Sequence, residues 1–310
     1  MDNVLDAELA VAGAVESLGF STEIIEVALD LASLEALASR QPLIVFNLVD
    51  SLNGDDRLAP LVPERLDALG IGHTGCGTSA FLKTLSKLDT KQNLADAGLP
   101  TPAWSADGTG LGRNSRVIVK ALWKHGSFGL DQTSVMLCTD APQTLAARTS
   151  RFNTEHFAEA FIDGREFNLP LLQRSSGVEV LPIGQYLFGD AHAPKIVSYD
   201  SKWTPSSAVY LDVTKCRFGL ERDEPELAAT LEQLALAAWT LFGFAGYASV
   251  DFRVDMAGAP FIIDVNPNPF LRPDSEFATA AAEARLSFQD VIGSIIESAL
   301  DASKVRNRSP

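Results

Sequence analysis

Apolar residues recur at helical spacing in DAELAVAGAVESLGF, so the chain is expected to open on an amphipathic helix. Short β-rich runs, STEIIEV and PLIVFNLV, then alternate with a helical VPERLDALGI, which predicts an α/β lobe over residues 1–75. From residue 76 the period changes. TSAFLKTLSKLDTKQNLADAGLPTPAW reads as one long helix with Lys83, Lys87 and Lys91 on one face, stopped by Gly98, Pro100 and Pro102. A strand RVIVKALW, a loop KHGSFGLDQ, a strand SVMLC, a helix around APQTLAARTSR and a strand HFAEAFI complete a small α+β unit over 76–166. Residues 167–310 are expected to be strand-rich through REFNLPLL, EVLPIGQYLF and KIVSYDSKW. Helices over EPELAATLEQLALAAWTLFGF and SFQDVIGSIIESAL follow, with SKVRNRSP as a frayed tail.

Between those two helices, YASVDFRVDMAGAPFIIDVN reads as a hairpin of strands 248–255 and 260–266 joined by Met256-Ala257-Gly258-Ala259. With Asp255 opposite Pro260, antiparallel counting opposes Arg253 to Ile262, Asp251 to Asp264 and Ser249 to Asn266. Two carboxylates with Cβ atoms about 4.5–5.5 Å apart destabilise a sheet unless something neutralises them. Mg²⁺ suits that task, because it takes oxygen ligands from one or two carboxylates and from phosphate. Asn266 offers a third oxygen on the same face, while Val250, Phe252, Val254, Ile263 and Val265 form an apolar stripe on the other. A plainer reading is equally open from the hairpin alone: the register differs, both aspartates are solvated strand ends, and Pro267 and Pro269 terminate the sheet edge.

Charge then narrows the partners. With 25 basic against 40 acidic residues the formal charge is −15, which repels nucleic-acid backbones and anionic lipid heads, so any phosphate must be gripped by local lysines. No run approaches the roughly 18 apolar residues of a membrane span, and MDNVLDAELA lacks the basic start of a signal peptide, so a cytoplasmic protein is expected. Cys76, Cys138 and Cys216 are widely separated and form no CxxC pair, so they read as structural thiols rather than a zinc site or disulfide.

VDFRVD and FIIDVNPNP resemble the metal-binding strand ends of ATP-grasp ligases of the D-alanine–D-alanine ligase family, and the resemblance spans roughly residues 43–300. LDALGIGHTGCG and LSKLDTKQNLADAGLPTP are similar to the end of that family's first lobe and the start of its central domain. VIVKALWKHGSFG resembles its strand and glycine-rich flap, AEAFIDGREFNL its adenine hinge, and SYDSKW a motif that carries a lysine to the triphosphate. The resemblance implies an ATP-grasp fold, α/β with an α+β central unit, that binds ATP and two Mg²⁺ between the central and C-terminal domains. Asp251 and Asp264 would hold one Mg²⁺, with Asp264 and Asn266 sharing a second. Lys87, Lys120 and Lys202 would contact phosphate under the flap residues Gly126, Ser127 and Gly129. Backbone near Ala160 and Ile162 would meet the adenine, Glu159 its amino group, and Glu166 the ribose. Lys83 and Lys91 are left as the solvated face of their helix.

Three departures bear on the substrates. Where the family places an arginine that stabilises an oxyanion, two residues before the first metal aspartate, this chain has Ser249; Arg253 and Arg272 are the candidate replacements. Phe270 takes the place of a glycine beside the second substrate, although Ser275 matches a substrate-binding serine. The first lobe looks shortened, and His125 stands where the flap often carries an acid, facing either substrate or solvent. The implied activity is ADP-forming ligation of a small, amino-acid-like carboxylate to an amine through an acyl phosphate, in an enzyme that is commonly a homodimer. Two alternatives stay open: a catalytically impaired ATP-binding protein of the same fold, and an acyl-phosphate enzyme with an intramolecular or peptide acceptor.

Overall fold

The computed structural model describes residues 2–189, 193–204 and 206–306. Helix Asp2–Ser17 opens the chain as its apolar period predicts and packs Val11 and Ala14 against the last helix, Phe288–Arg306. The apolar runs that follow do not build strands. STEIIEV is irregular, and PLIVFNLV keeps a single parallel bridge, Val45 to His73. Their apolar side chains, Ile25, Val27, Val45 and Val49, instead pack on the small core of Leu34, Leu37, Leu52, Val62 and Leu66.

The expected long lysine helix is two helices, Thr78–Leu85 and Lys87–Asp96. Ser86 breaks it in an extended conformation and caps the second helix by accepting from the Asp89 amide. The break leaves Lys83 at the surface and turns Lys87 and Lys91 inward, which corrects the placement of Lys91 in solvent.

Two antiparallel sheets follow. The first contains β1 (Trp104–Ser105), β2 (Arg116–Ala121), β3 (Val135–Leu137) and β4 (His156–Ala160), in the order β1-β4-β2-β3. Helix Ala141–Phe152 covers it with Ala141 and Leu145 against Val117, Val119 and Ala158. The second contains β5 (Gly164–Arg174), β6 (Gly177–Val180), β7 (Gly184–Phe188), β8 (Val213–Arg217), β9 (Tyr247–Asp255) and β10 (Pro260–Asn266), in the order β10-β9-β5-β7-β8 with β6 also on β5. EVLPIGQYLF thus divides between β6 and β7, and YDSKW forms a short helix, Tyr199–Trp203, rather than strand. Helix Pro225–Phe242 lays Leu231, Ala235, Ala238 and Phe242 on the buried face of this sheet. Of the expected frayed tail, Ser303–Arg306 continue the last helix, and 307–310 lie outside the described residues.

Gly164 joins the two sheets where no side chain fits. A Cβ there would stand 2.0 Å from the Val254 carbonyl oxygen. That close approach seats β5 on β9 and brings the end of β4 beside the floor formed by β9 and β10.

The hairpin pairs Asp251 with Asp264 and Ser249 with Asn266, as expected, but by a different route. Pro260 opposes Val254 and Phe261 opposes Arg253, and a bulge at Ile263 then restores the register. The bulge corrects two expectations: Arg253 does not face Ile262, and the buried stripe contains Ile262 rather than Ile263.

Candidate active site

Between the sheets lies a cleft of about 760 Å³ including its open mouth. Its floor is Asp251 on β9 and Asp264 on β10; its walls carry Lys87, Lys120 and Lys202, the hinge residues Glu159, Ala160 and Ile162, and Glu166 and Arg253. Ser127 of the flap also lines it. Apolar side chains that the sequence reading did not place at the site complete it, among them Ile118, Phe161, Ile196, Val197 and the bulged Ile263, which was expected on the opposite, buried face. Nothing in their apolar runs distinguished them from core residues.

The two floor carboxylates differ. Burial raises Asp251 to about 7, assisted by the charge of Asp264 and opposed by Lys202 and by Asn168, whose Nδ2 donates to Oδ1 at 2.6 Å. Burial acts the same way on Asp264, but Lys87, His125 and Lys120 outweigh it and hold that carboxyl down at about 2. Lys87 Nζ donates to Asp264 Oδ1 at 2.6 Å. Asn168 faces Asp251 across the β5–β9 ladder. The sequence reading missed this residue, although its polarity within the otherwise apolar run FNLPLL was a usable sign.

Glu159 lies between two lysines, with Lys91 Nζ and Lys120 Nζ each 2.5 Å from one of its oxygens. Burial opposes its charge, yet the two ammonium groups win and hold its carboxyl below the ordinary range. The same burial lowers Lys91 despite Glu159, whereas for Lys120 the surrounding carboxylates overcome burial and raise it. Burial raises Glu166 against the pull of Arg253. The two terminal nitrogens of Arg253 are engaged beside β5: they donate to Glu166 at 2.9 Å, to the Lys195 carbonyl at 2.8 Å and to the Gly164 carbonyl at 3.0 Å, and the guanidinium stacks over Phe161, while its buried Nε has no hydrogen-bond partner among the described residues.

The flap is tied down from several sides. Ser127 Oγ donates to the Val197 carbonyl, Trp203 Nε1 donates to the Gly126 carbonyl, and Arg148 donates to the Gly129 carbonyl and to Asp131. Gly126 and Gly129 have positive φ, as does Ser127. His125 is not out in solvent. Burial, then the charge of Lys87, lowers its basicity against the pull of Asp264, Asp56 and Asp50, and its backbone amide donates to Asp56 at 3.4 Å. Beside it Lys124 donates to Asp56 and to the Gly54 carbonyl, both at 2.5 Å, which links the flap to the first lobe.

The remaining candidates border the cleft rather than line it. Ser249 is buried at the hairpin base, paired with Asn266, whose Oδ1 accepts from the Asn268 amide at 2.9 Å. Phe270 meets Trp203 edge to face at 5.8 Å. Arg272 pairs with Asp274, and Ser275 caps helix Glu276–Glu283 by accepting from the Ala278 amide.

No set of three His, Cys, Asp or Glu residues among those described gathers as a metal centre. The oxygen set of two opposed carboxylates and an amide instead suits a hard cation that takes its other ligands from phosphate. A carboxyl held near 7 at an internal floor, facing a second carboxylate, is the arrangement such a cation stabilises.

The family model described as D-ala D-ala ligase C-terminus matches residues 115–297, which include both sheets' cleft-facing strands. This chain belongs to the D-alanine–D-alanine ligase family. Across 297 residues it is 31% identical to the D-alanine–D-alanine ligase of Methylococcus capsulatus, covering 93% of this chain and 88% of that one. It is 29% identical over 276 residues to an uncharacterized protein, y4sG, of Sinorhizobium fredii, covering 86% and 79% respectively. The D-alanine–D-alanine ligase of Bacillus anthracis, solved as a complex with ATP, shares its fold with a TM-score of 0.69 at 21% identity, over 92% of this chain and 88% of that one. The architecture is therefore ATP-grasp, and the family's members are ATP-dependent ligases that form C–N bonds. No helix among the described residues is long and apolar enough to cross a membrane.

Proposed function

We propose that this member of the family is an ADP-forming carboxylate–amine ligase that activates a small, amino-acid-like carboxylate as its acyl phosphate. One observation carries the reading: Lys87, Lys120 and Lys202 converge on the cleft whose floor is the opposed pair Asp251 and Asp264. Backbone groups near Ala160 and Ile162 receive adenine, with Glu159 fixed by its two lysines toward the exocyclic amine and Glu166 fixed by Arg253 toward the ribose. The lysines act as point charges on phosphate oxygens, and the N–H groups of Gly126, Ser127 and Gly129 close over them. Asp251, Asp264 and Asn266 are the residues that would hold Mg²⁺, as two ions, which when bound offset charge on the transferring phosphoryl group. Asn168 keeps Asp251 aimed at that place.

The substrate carboxylate attacks the terminal phosphoryl group to give acyl phosphate and ADP, and an amine then displaces phosphate to leave an amide. Positioning and electrostatic complementarity supply most of the rate in such a transfer. Arg253 serves here by positioning Glu166, because its three polar contacts turn it away from Ser249. That commitment of Arg253 is the observation favouring a second reading, a nucleotide-binding protein with impaired chemistry. A cytoplasmic location and a homodimer belong to the proposal as well.

The test is ADP release from Mg·ATP with and without pooled L- and D-amino acids and simple amines, with products read by mass. Substrate-dependent ADP and a product one water lighter than its parts are expected. ADP release that no pool stimulates overturns the ligase reading in favour of the second.

A further inference from the structure

The border of the cleft beside Lys202 carries groups that suit a cation better than a carboxylate. Glu276, first residue of helix Glu276–Glu283, has its Oε2 3.4 Å from Lys202 Nζ. Tyr186, a buried cleft-lining residue, is near enough that burial and then the Glu276 charge hold its hydroxyl protonated. Asp251 lies close enough for the Glu276 charge to raise it further. The groups that would ordinarily seat a carboxylate are engaged elsewhere: Arg253 on Glu166, Arg272 on Asp274, and the Ala278 amide of the helix start on Ser275. Trp203, next in sequence to Lys202, and Phe270 add an edge-to-face aromatic pair, a surface that attracts cations.

We propose that Glu276 binds the ammonium group of the acceptor, and that the acceptor is a diamine or polyamine with no carboxylate beside its nucleophilic nitrogen. The proposal rests on the ligase reading above and names the substrate class for its second step. Without nucleotide, Lys202 occupies Glu276. A triphosphate draws the Lys202 charge to itself, and the Glu276 carboxylate with the Tyr186 hydroxyl is then left to an incoming ammonium. An amino-acid acceptor would bring its own carboxylate against Glu276 and Asp251 and be repelled.

Equilibrium binding tests this without turnover. Putrescine and γ-aminobutyrate, which differ chiefly in exchanging an ammonium for a carboxylate, are titrated calorimetrically into the full chain saturated with Mg²⁺ and a non-hydrolysable ATP analogue. Putrescine binds at least tenfold more tightly than γ-aminobutyrate, and Glu276→Gln weakens putrescine at least tenfold, with Tyr186→Phe giving a smaller loss. Equal binding of the two, binding of neither, or unaltered putrescine affinity in Glu276→Gln overturns the proposal. The wild-type comparison decides even where a variant fails to fold. A chain that binds putrescine but makes no product sinks the ligase reading and leaves this site standing. One that condenses an amino-acid acceptor as readily as a diamine does the reverse.

Discussion

Replacing Lys91 by Met removes one of the two ammonium groups that neutralise Glu159 while keeping much of the side chain's length and apolar stem. Lys91 is 3% exposed and Glu159 2%, so water cannot substitute for the lost charge. Breaking a buried ion pair by deleting one partner costs about 3–5 kcal/mol. Glu159 keeps Lys120 at 2.5 Å, which places the loss at the lower end, about 3 kcal/mol. An unfolding entropy of about 2.1 cal/mol/K per residue converts that, over 310 residues, to a fall in Tm of about 5 °C. Acid diminishes the difference. The folded carboxyl of Glu159 is depressed below its ordinary 4.5, so its ion-pair stabilisation is present above that value and is lost as pH falls below it. Scanning calorimetry at neutral and acid pH measures both effects, and titration with Mg·ATP reports the accompanying loss of adenine-side affinity. A Tm within about 1 °C of the parent at neutral pH, with unchanged ATP binding, would refute the reasoning and return Lys91 to the solvated face.

Three further outcomes follow from single contacts. Gly164→Ala drives a Cβ to within 2.0 Å of the Val254 oxygen, and urea unfolding should show a loss of about 3 kcal/mol; a neutral result would mean that β5 and β9 part easily. Trp203→Phe deletes the hydrogen bond to the Gly126 carbonyl, so amide exchange at 125–129 accelerates and stability drops by about 1 kcal/mol; unchanged exchange would release Trp203 from holding the flap. Asp251 keeps its proton to about 7 when folded but releases it near 3.8 when unfolded, so its contribution makes metal-free stability fall as pH rises between those values. Asp251→Asn removes that contribution, and pH-dependent melts with the same slope in both proteins contradict it.

A simple count across the hairpin gave the opposition of Asp251 and Asp264 while leaving solvated strand ends equally open, and its register at the tip was wrong. Phe261, Ile262 and Ile263 are all apolar, so period-two alternation cannot say which one is the bulge. The turn is one residue off the simple count, and the bulge at Ile263 compensates for it before Asp264. The break in the lysine helix did carry a sign, since Ser86 followed by Asp89 is an N-cap pattern inside an otherwise helical period. The burial of Lys91 carried none, because its partner Glu159 is 68 positions away and only the sheet brings them together. In the first lobe, β-rich composition stood in for strands that never form, since those side chains reach a small local core without pairing. Arg253 looked available from the strand period, and only the closure of β5 on β9 reveals Glu166 and two carbonyls waiting for it.

The central claim is that this cleft is the nucleotide site, held by lysines over the paired aspartates. Calorimetric titration of Mg·ATP into the parent chain and into Lys120→Met tests it most directly. The account predicts one site per chain in the parent and at least a tenfold loss of affinity in the variant. No heat of binding in the parent, or equal affinity in both, would contradict it.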